Sequence, residues 1–147
     1  GWEGVGFDIS GKAVRLSREN FRALGVQNRI KTMVASGFEA FSPDQKFNLI
    51  ISNPPYIPSG DIDGLQMEVS LYENRAALDG GTDGIKFYPV LAGGGIRHLA
   101  PGGVLLAEIG DGMGETVQGI LNDYGYHRVK IARDYSGLER VVSAVKS

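Results

Sequence analysis

The sequence predicts an α/β fold in which a mainly parallel, doubly wound sheet is covered by helices on both faces. Three features carry that expectation. Short apolar runs alternate with segments of helical periodicity, and glycines gather in small groups between those runs, as tight turns require. The last two β-rich segments also follow one another closely enough to pair antiparallel at one edge. With 22 glycines among 147 residues the share is about twice the usual roughly 7%. No repeat, low-complexity linker or domain boundary interrupts the chain, and its length suits one domain with one core.

Taken in order, residues 2–7 (Trp-Glu-Gly-Val-Gly-Phe) read as a short buried strand ending at Asp8. Ser10 suits an N-cap. Ala13, Leu16, Phe21 and Leu24 then recur at helical spacing until Gly25 supplies the stop. A strand follows at residues 30–34. Residues 47–52 (Phe-Asn-Leu-Ile-Ile-Ser) have the length and apolar character of a strand buried on both faces. Asn53-Pro54-Pro55-Tyr56 ends that strand, because its two prolines lack backbone donors. Residues 57–82 read as loop, with at most one helical turn at 65–71. A helix over 84–99 leads through Pro101-Gly102-Gly103 into a strand over 104–109. A glycine-broken turn opens a helix over about 115–124, and β-rich segments at 126–133 and 138–144 close the chain. Ligands of doubly wound sheets bind beyond the carboxyl ends of the strands. Asp8, Asn53 and Glu108, each ending a predicted strand, are therefore expected in one crevice.

Composition narrows the function classes. Hydrophobic residues make up 42% and charged residues 22%, which argues for a soluble globular protein and against disorder. The apolar runs fall well short of the roughly 20 residues that cross a bilayer, and no signal-like segment opens the chain. The cysteine count is 0, which excludes disulfides, a thiolate nucleophile and a cysteine zinc site, and is compatible with the cytoplasm. Lys+Arg 15 against Asp+Glu 17 gives a net charge of -2, and the basic residues (Lys12, Arg15, Arg18 and Arg22 on one predicted helix, for example) are scattered. Sequence-indifferent nucleic-acid binding relies on clustered cations, so direct binding of that kind is not expected. His98 and His127 have no partner at metal-ligand spacing, and neither is assigned a role or a metal.

The informative tetrapeptide is Asn53-Pro54-Pro55-Tyr56. Read alone it is a proline-stiffened turn, but here a predicted buried strand delivers it to a ligand crevice. It resembles the Asn/Asp/Ser-Pro-Pro-Tyr/Phe/Trp motif of S-adenosylmethionine-dependent amino-methyltransferases. The run Glu73-Asn74-Arg75-Ala76-Ala77-Leu78-Asp79-Gly80-Gly81-Thr82-Asp83-Gly84 resembles the Glu-Pro-x-x-Ala-Leu-x-Gly-Gly-x-Asp-Gly signature of protein-(glutamine-N5) methyltransferases, which modify class-1 peptide chain release factors. Further likeness lies in Gly6-Phe7-Asp8-Ile9-Ser10, in Leu106-Ala107-Glu108-Ile109-Gly110, and in Arg133-Asp134-Tyr135 with Glu139-Arg140-Val141-Val142. The likeness runs nearly end to end. It departs at Asn74, where the family usually has proline, and at Gly37, where it commonly has an aspartate near the adenine.

The resemblance implies a Rossmann-like class I methyltransferase fold, S-adenosylmethionine as methyl donor, and a release-factor glutamine as acceptor. It assigns catalysis and substrate binding to Asn53, Pro54, Pro55 and Tyr56, and cofactor binding to Asp8, Phe38 and Asn53. Chemistry explains the residue types. An amide nitrogen is a poor nucleophile, because its lone pair is delocalised, while the donor is an activated sulfonium. Alignment and electrostatic help therefore matter more than a strong base. The Asn53 side-chain oxygen and the Pro54 carbonyl can each accept one hydrogen of an –NH2 group, Pro55 stiffens the loop, and Tyr56 offers an aromatic face to the planar amide. Asp8 suits the ribose hydroxyls or, failing that, a helix-capping turn. Phe38 suits the adenine or a core position, and Glu73 a substrate loop or an exposed surface.

The same resemblance leads one to expect this chain to be part of a catalytic domain. The first strand, its acidic glycine-rich turn and a preceding helical substrate domain would lie upstream of Trp2, and such a piece alone would bind S-adenosylmethionine weakly or not at all. Two alternatives stand beside it. One is methylation of an exocyclic base amine of DNA or RNA, which needs an unpaired base; the other is a non-catalytic binding module. Glu108-Ile109-Gly110-Asp111-Gly112-Met113-Gly114 follows a predicted strand and opens a helix, as a nucleotide-binding glycine turn does. Asp134 follows about 20 residues later, where a dinucleotide fingerprint places its acid. That segment reads as the cofactor loop of a circularly permuted amino-methyltransferase, although Pro101-Gly102-Gly103 resembles the lead-in to the fifth strand of the unpermuted family.

Overall fold

In a computed structural model describing residues 1–64 and 74–147, the chain forms two bodies, Gly1–Ser42 and Pro43–Ser147. The six described strands fall into two sheets, one of two strands and one of four. The helical turn expected at 65–71, and Glu73, lie outside the described residues.

The first body is a βαβ unit. Strand β1 (Gly4–Asp8) pairs in parallel with β2 (Ile30–Val34), in register from Gly4 against Ile30 to Asp8 against Val34. Helix α1 (Gly11–Ala23) connects them. It starts where expected, with the Ser10 hydroxyl accepting the Ala13 amide at 3.2 Å. It stops at Gly25, whose φ of 69° puts it in the left-handed region where glycine carries no steric penalty. Arg18 ties the helix to β2, its guanidinium donating to the Thr32 hydroxyl at 2.7 Å and carbonyl at 2.8 Å. A 3-10 turn, Gly37–Ala40, follows β2. The core is small: Val14, Phe38 and Phe41 are buried, and the Phe7 ring meets Phe38 and Phe41 edge-on at 6.3 and 5.6 Å. Two expectations fail here. The first strand is largely exposed rather than buried, and Leu16 and Leu24 stand in solvent. A two-stranded sheet is too narrow to cover the full apolar stripe of its helix.

The second body has the strand order β3-β4-β6-β5. Strand β3 (Phe47–Ser52) runs parallel to β4 (Leu99–Glu108), while β5 (Tyr126–Arg133) and β6 (Glu139–Lys146) add the antiparallel edge that the sequence predicts. The one-turn helix α2 (Arg75–Leu78), then α3 (Phe87–His98) and α4 (Gly114–Asp123), complete it. The core gathers Tyr88 and Ala92 from α3, Leu99, Leu105 and Ala107 from β4, and Val117 and Leu121 from α4, with Val142 and Ala144 from β6. Alternate burial along β4 supplies the period of two that a strand with one core face requires. The Tyr126 hydroxyl, buried, donates to the Ala92 carbonyl at 3.1 Å, and burial holds its proton on to well above the ordinary tyrosine range.

Two boundaries and one burial pattern differ from expectation. Strand β4 begins at Leu99, so Pro101-Gly102-Gly103 lies within it as a register shift between Phe47↔Leu99 and Leu49↔Val104. Helix α3 begins at Phe87 because Gly84, at φ 78°, belongs to the preceding turn. Strand β3 is not buried on both faces: Leu49 is 48% and Ile51 70% exposed. An apolar run shows that a face wants cover, but not whether a neighbour supplies it. Among the described residues no helix is long and apolar enough to cross a membrane.

Candidate active site

At the carboxyl end of β3, Asn53 is exposed and Pro54 buried, and the chain turns through Pro55 and Tyr56. These four residues, with Ile57, Ala77 and Leu78, line an open cavity of about 280 Å³. That is slightly smaller than the roughly 300–1,000 Å³ of pockets for drug-sized ligands, and it suits a single side chain.

The second motif holds the first. Ile57 forms a parallel bridge with Asp79, its amide donating to Leu78 at 3.0 Å and its carbonyl accepting from Gly80 at 2.9 Å. The Ser59 amide donates to Gly81 at 2.9 Å, and the Ser59 hydroxyl to the Asp79 carboxylate at 2.6 Å. That hydroxyl, followed by the Gly81 amide at 2.9 Å, keeps the Asp79 carboxyl below the usual carboxylate range. The glycines are steric requirements. A Cβ on Gly80 would come within 2.7 Å of the Tyr56 Cα, and one on Gly84 would collide with the Tyr56 carbonyl oxygen. Asn74, where the family usually has proline, has the proline-like φ of −67° and caps α2 by accepting the Ala76 amide at 3.1 Å.

Strand β4 delivers Glu108 beside this loop, since Ser52 pairs with Ala107 at the ends of the two strands. The Tyr56 hydroxyl donates to Glu108 Oε1 at 2.8 Å, and the Tyr88 hydroxyl to the Glu108 carbonyl at 2.9 Å. Burial, and after it the charges available to Tyr56 and Glu108, push the Tyr88 hydroxyl above its ordinary range. Glu108 was expected at the crevice as a strand end, but its hydrogen bond to Tyr56 spans 52 residues and has no sequence signal. Asp79, Ala77 and Leu78 also join the site, signalled only by the conspicuous run that contains them.

The glycine turn after Glu108 does not behave as a cofactor loop. The Gly114 amide, at the start of α4, donates to Glu139 Oε2 at 2.9 Å, and a Cβ on Gly114 would meet that oxygen at 2.6 Å. The chain's own carboxylate thus takes the place a phosphate would need. Asp134 is likewise engaged. It accepts the Ser136 and Leu138 amides at 2.8 and 3.1 Å and pairs with Arg140 at 3.0 Å. The Leu138 amide first, then Arg140 and the Ser136 amide, hold its carboxyl below the usual range. The permuted reading therefore loses both of its supports.

Asp8 and Phe38 belong to the first body. Asp8 is exposed at the end of β1, with one carboxylate oxygen accepting the Ser10 amide at 2.7 Å. Phe38 is 9% exposed, and Gly37 before it has φ 64°, where an aspartate would be strained. His98 is buried with Nδ1 3.1 Å from the Gln45 carbonyl, and His127 Nδ1 lies 3.0 Å from the Ser147 hydroxyl. Among the described residues no group of three His, Cys, Asp or Glu is placed to hold a metal.

A parallel β3–β4 pair with an antiparallel β6–β5 edge, and an amide-bearing loop at the strand ends, define a Rossmann-like class I methyltransferase fold. Solved structures agree at the level of fold. A methyltransferase from Pyrococcus furiosus superposes with a TM-score of 0.69 at 17% identity, over 99% of this chain and 63% of that one. An O-methyltransferase from Bacillus cereus in complex with SAH does so at 0.58 and 14%, over 99% and 63%. The chain belongs to the methyltransferase small domain family, whose model matches residues 3–81. Among curated proteins it is 44% identical over 138 residues to the release factor glutamine methyltransferase of Geobacter sulfurreducens, spanning 94% of this chain and 48% of that protein. The enzyme of the same name from Rhodospirillum rubrum is 44% identical over 141 residues, spanning 96% and 43%. The chain thus spans about half the length of the curated relatives it matches.

Proposed function

We propose that the protein containing this chain transfers a methyl group from S-adenosylmethionine to the side-chain amide nitrogen of a glutamine in a class-1 peptide chain release factor, in the cytoplasm. The observation that carries this reading is the placement of Asn53-Pro54-Pro55-Tyr56: an exposed amide side chain at the rim of a side-chain-sized cavity, on a loop braced by the Asp79–Gly84 turn. The likeness to named release factor glutamine methyltransferases supplies the substrate class.

S-adenosylmethionine, when bound, supplies an activated sulfonium methyl. Asp8 fits its ribose, because it is exposed at a strand end and the Ser10 amide fixes one carboxylate oxygen; the resemblance adds Phe38 beside the adenine and Asn53. Asn53 and the Pro54 carbonyl each accept one amide hydrogen, which turns the nitrogen's remaining electron density toward the methyl and tolerates the positive charge that develops there. Pro55 limits loop motion, so little entropy is lost on binding. Tyr56 lies flat against the carboxamide. The nitrogen gives its proton to water or a neighbouring carbonyl after transfer.

The test incubates full-length enzyme with labelled S-adenosylmethionine and either release factor or nucleic acid. Label is expected on a release-factor glutamine; label in nucleic acid alone would overturn the reading. Asn53→Ala should lower turnover far more than cofactor affinity, and unchanged turnover would remove Asn53 from the mechanism.

A further inference from the structure

We infer that Glu108 is a positioning residue for methyl transfer, acting through the hydroxyl of Tyr56. The inference deepens the proposed function and rests on it, since it concerns the wall against which the acceptor amide lies.

Three of the contacts that hold Tyr56 bear on its ring plane. Its backbone is pinned by the close approach of Gly80 and Gly84. Its ring edge lies near Gly110, where an added Cβ would meet Tyr56 Cδ2 at 3.3 Å. Its hydroxyl donates to Glu108 Oε1 at 2.8 Å. The bond to Glu108 adds to these contacts a hold on the far end of the ring, which resists rocking away from the cavity because an O–H to carboxylate bond is strong and directional. Glu108 is itself well anchored. It is the last residue of β4, paired with Val141 of β6, and its carbonyl accepts the Tyr88 hydroxyl at 2.9 Å. The carboxylate therefore transmits the rigidity of the four-stranded sheet to an aromatic face 52 residues away in sequence. A flat carboxamide can be aligned with a methyl donor only if the surface it rests on keeps one plane. Small misplacements of a reacting group cost large factors in rate. The Glu108 carboxylate need not touch the reacting atoms for this effect.

The test is a double-mutant cycle in the full-length enzyme, with a release factor as acceptor and Tyr56→Phe and Glu108→Ala as the variants. Each single change should lower kcat/KM by about tenfold to a hundredfold, the rate equivalent of a hydrogen bond to a charged acceptor, with kcat falling more than KM rises. The double variant should be no slower than the worse single one. Glu108→Gln should recover most of the activity, because its amide oxygen accepts the same hydrogen bond, and the affinity for S-adenosylmethionine should not change. The fluorine signal of Tyr56, followed by NMR with fluorinated tyrosine, should shift and broaden in Glu108→Ala as the ring gains more than one tilt, a readout that needs no turnover. Independent, multiplicative losses, or a Tyr56 fluorine signal unchanged in Glu108→Ala, would overturn the inference. So would a Glu108→Ala enzyme that melts earlier yet keeps its kcat. A wild-type enzyme that labels no release factor would instead overturn the proposed function, leaving the fluorine signal of Tyr56 to judge the pair.

Discussion

Residues 43–147 hide Leu105 at 1% and Ile109 at 0% exposure, whereas residues 1–42 leave Leu16, Leu24 and Val34 at 57, 73 and 59%. Both bodies contain a parallel strand pair and helices, and the second adds an antiparallel edge, so strand propensity is not what separates them. The difference is closure. Four strands with α3 and α4 enclose a core, while two strands and α1 offer a face too narrow to do so. Apolar sequence is thus equally present in both, but only one body turns it into stability.

The chain carries its own reporters for that comparison. Its single tryptophan, Trp2, lies in the first body under the Arg29 guanidinium, 3.9 Å from the ring centroid. All of its 6 tyrosines lie in the second. In a urea titration the tryptophan signal should change at lower denaturant than the tyrosine signal, and coincident transitions would show that the two bodies unfold as one. The largest effect should come from Leu105→Ala, which empties a closed core and should cost about 2–5 kcal/mol in the tyrosine transition, with the tryptophan transition hardly moved. Gly84→Ala should cost about 2–3 kcal/mol there, since it combines a left-handed φ with a collision against the Tyr56 carbonyl, and should abolish methyl transfer with it.

Alkali should act on the same side. The Tyr88 and Tyr126 hydroxyls are raised in the folded state, chiefly by burial. Folding then holds protons that the unfolded chain releases near pH 10, so stability is complete below that pH and declines as pH rises above it. Spectrophotometric titration with parallel circular dichroism would detect this, and Tyr88 and Tyr126 themselves, identified by Tyr88→Phe and Tyr126→Phe, ionising at about pH 10 without loss of structure would contradict it. Smaller still, Ser10→Ala should remove a helix cap worth about 1 kcal/mol, seen in the tryptophan transition alone. Leu24→Ala, at an open position, should change stability by less than about 0.5 kcal/mol in either signal; a large loss there would mean that the first body is better closed than its exposures indicate.

How far the sequence anticipated this follows from distance along the chain. Local signals served well: the Ser10 cap, the Gly25 stop, the β3 run and the antiparallel ending all stand where residue chemistry puts them. The Asn53–Tyr56 motif was visible because prolines after an apolar run are conspicuous. What could not be read was tertiary. That Asp79, Gly80 and Gly84 brace Tyr56, that Glu108 accepts its hydroxyl, and that Leu49 and Ile51 stand open all depend on which segments meet in space. The glycine turn at residues 108–114 was misleading for the same reason, since the carboxylate that occupies it arrives from Glu139.

That last feature has an evolutionary edge. By seating Glu139 against the Gly114 amide, with Arg133 on its other oxygen at 2.9 Å, the molecule wears the outline of a nucleotide cradle while keeping it permanently stoppered. Pattern matching on the loop alone would enrol this chain among dinucleotide binders. The acidic side chain that occupies the loop is remote in sequence, and so invisible to such a match.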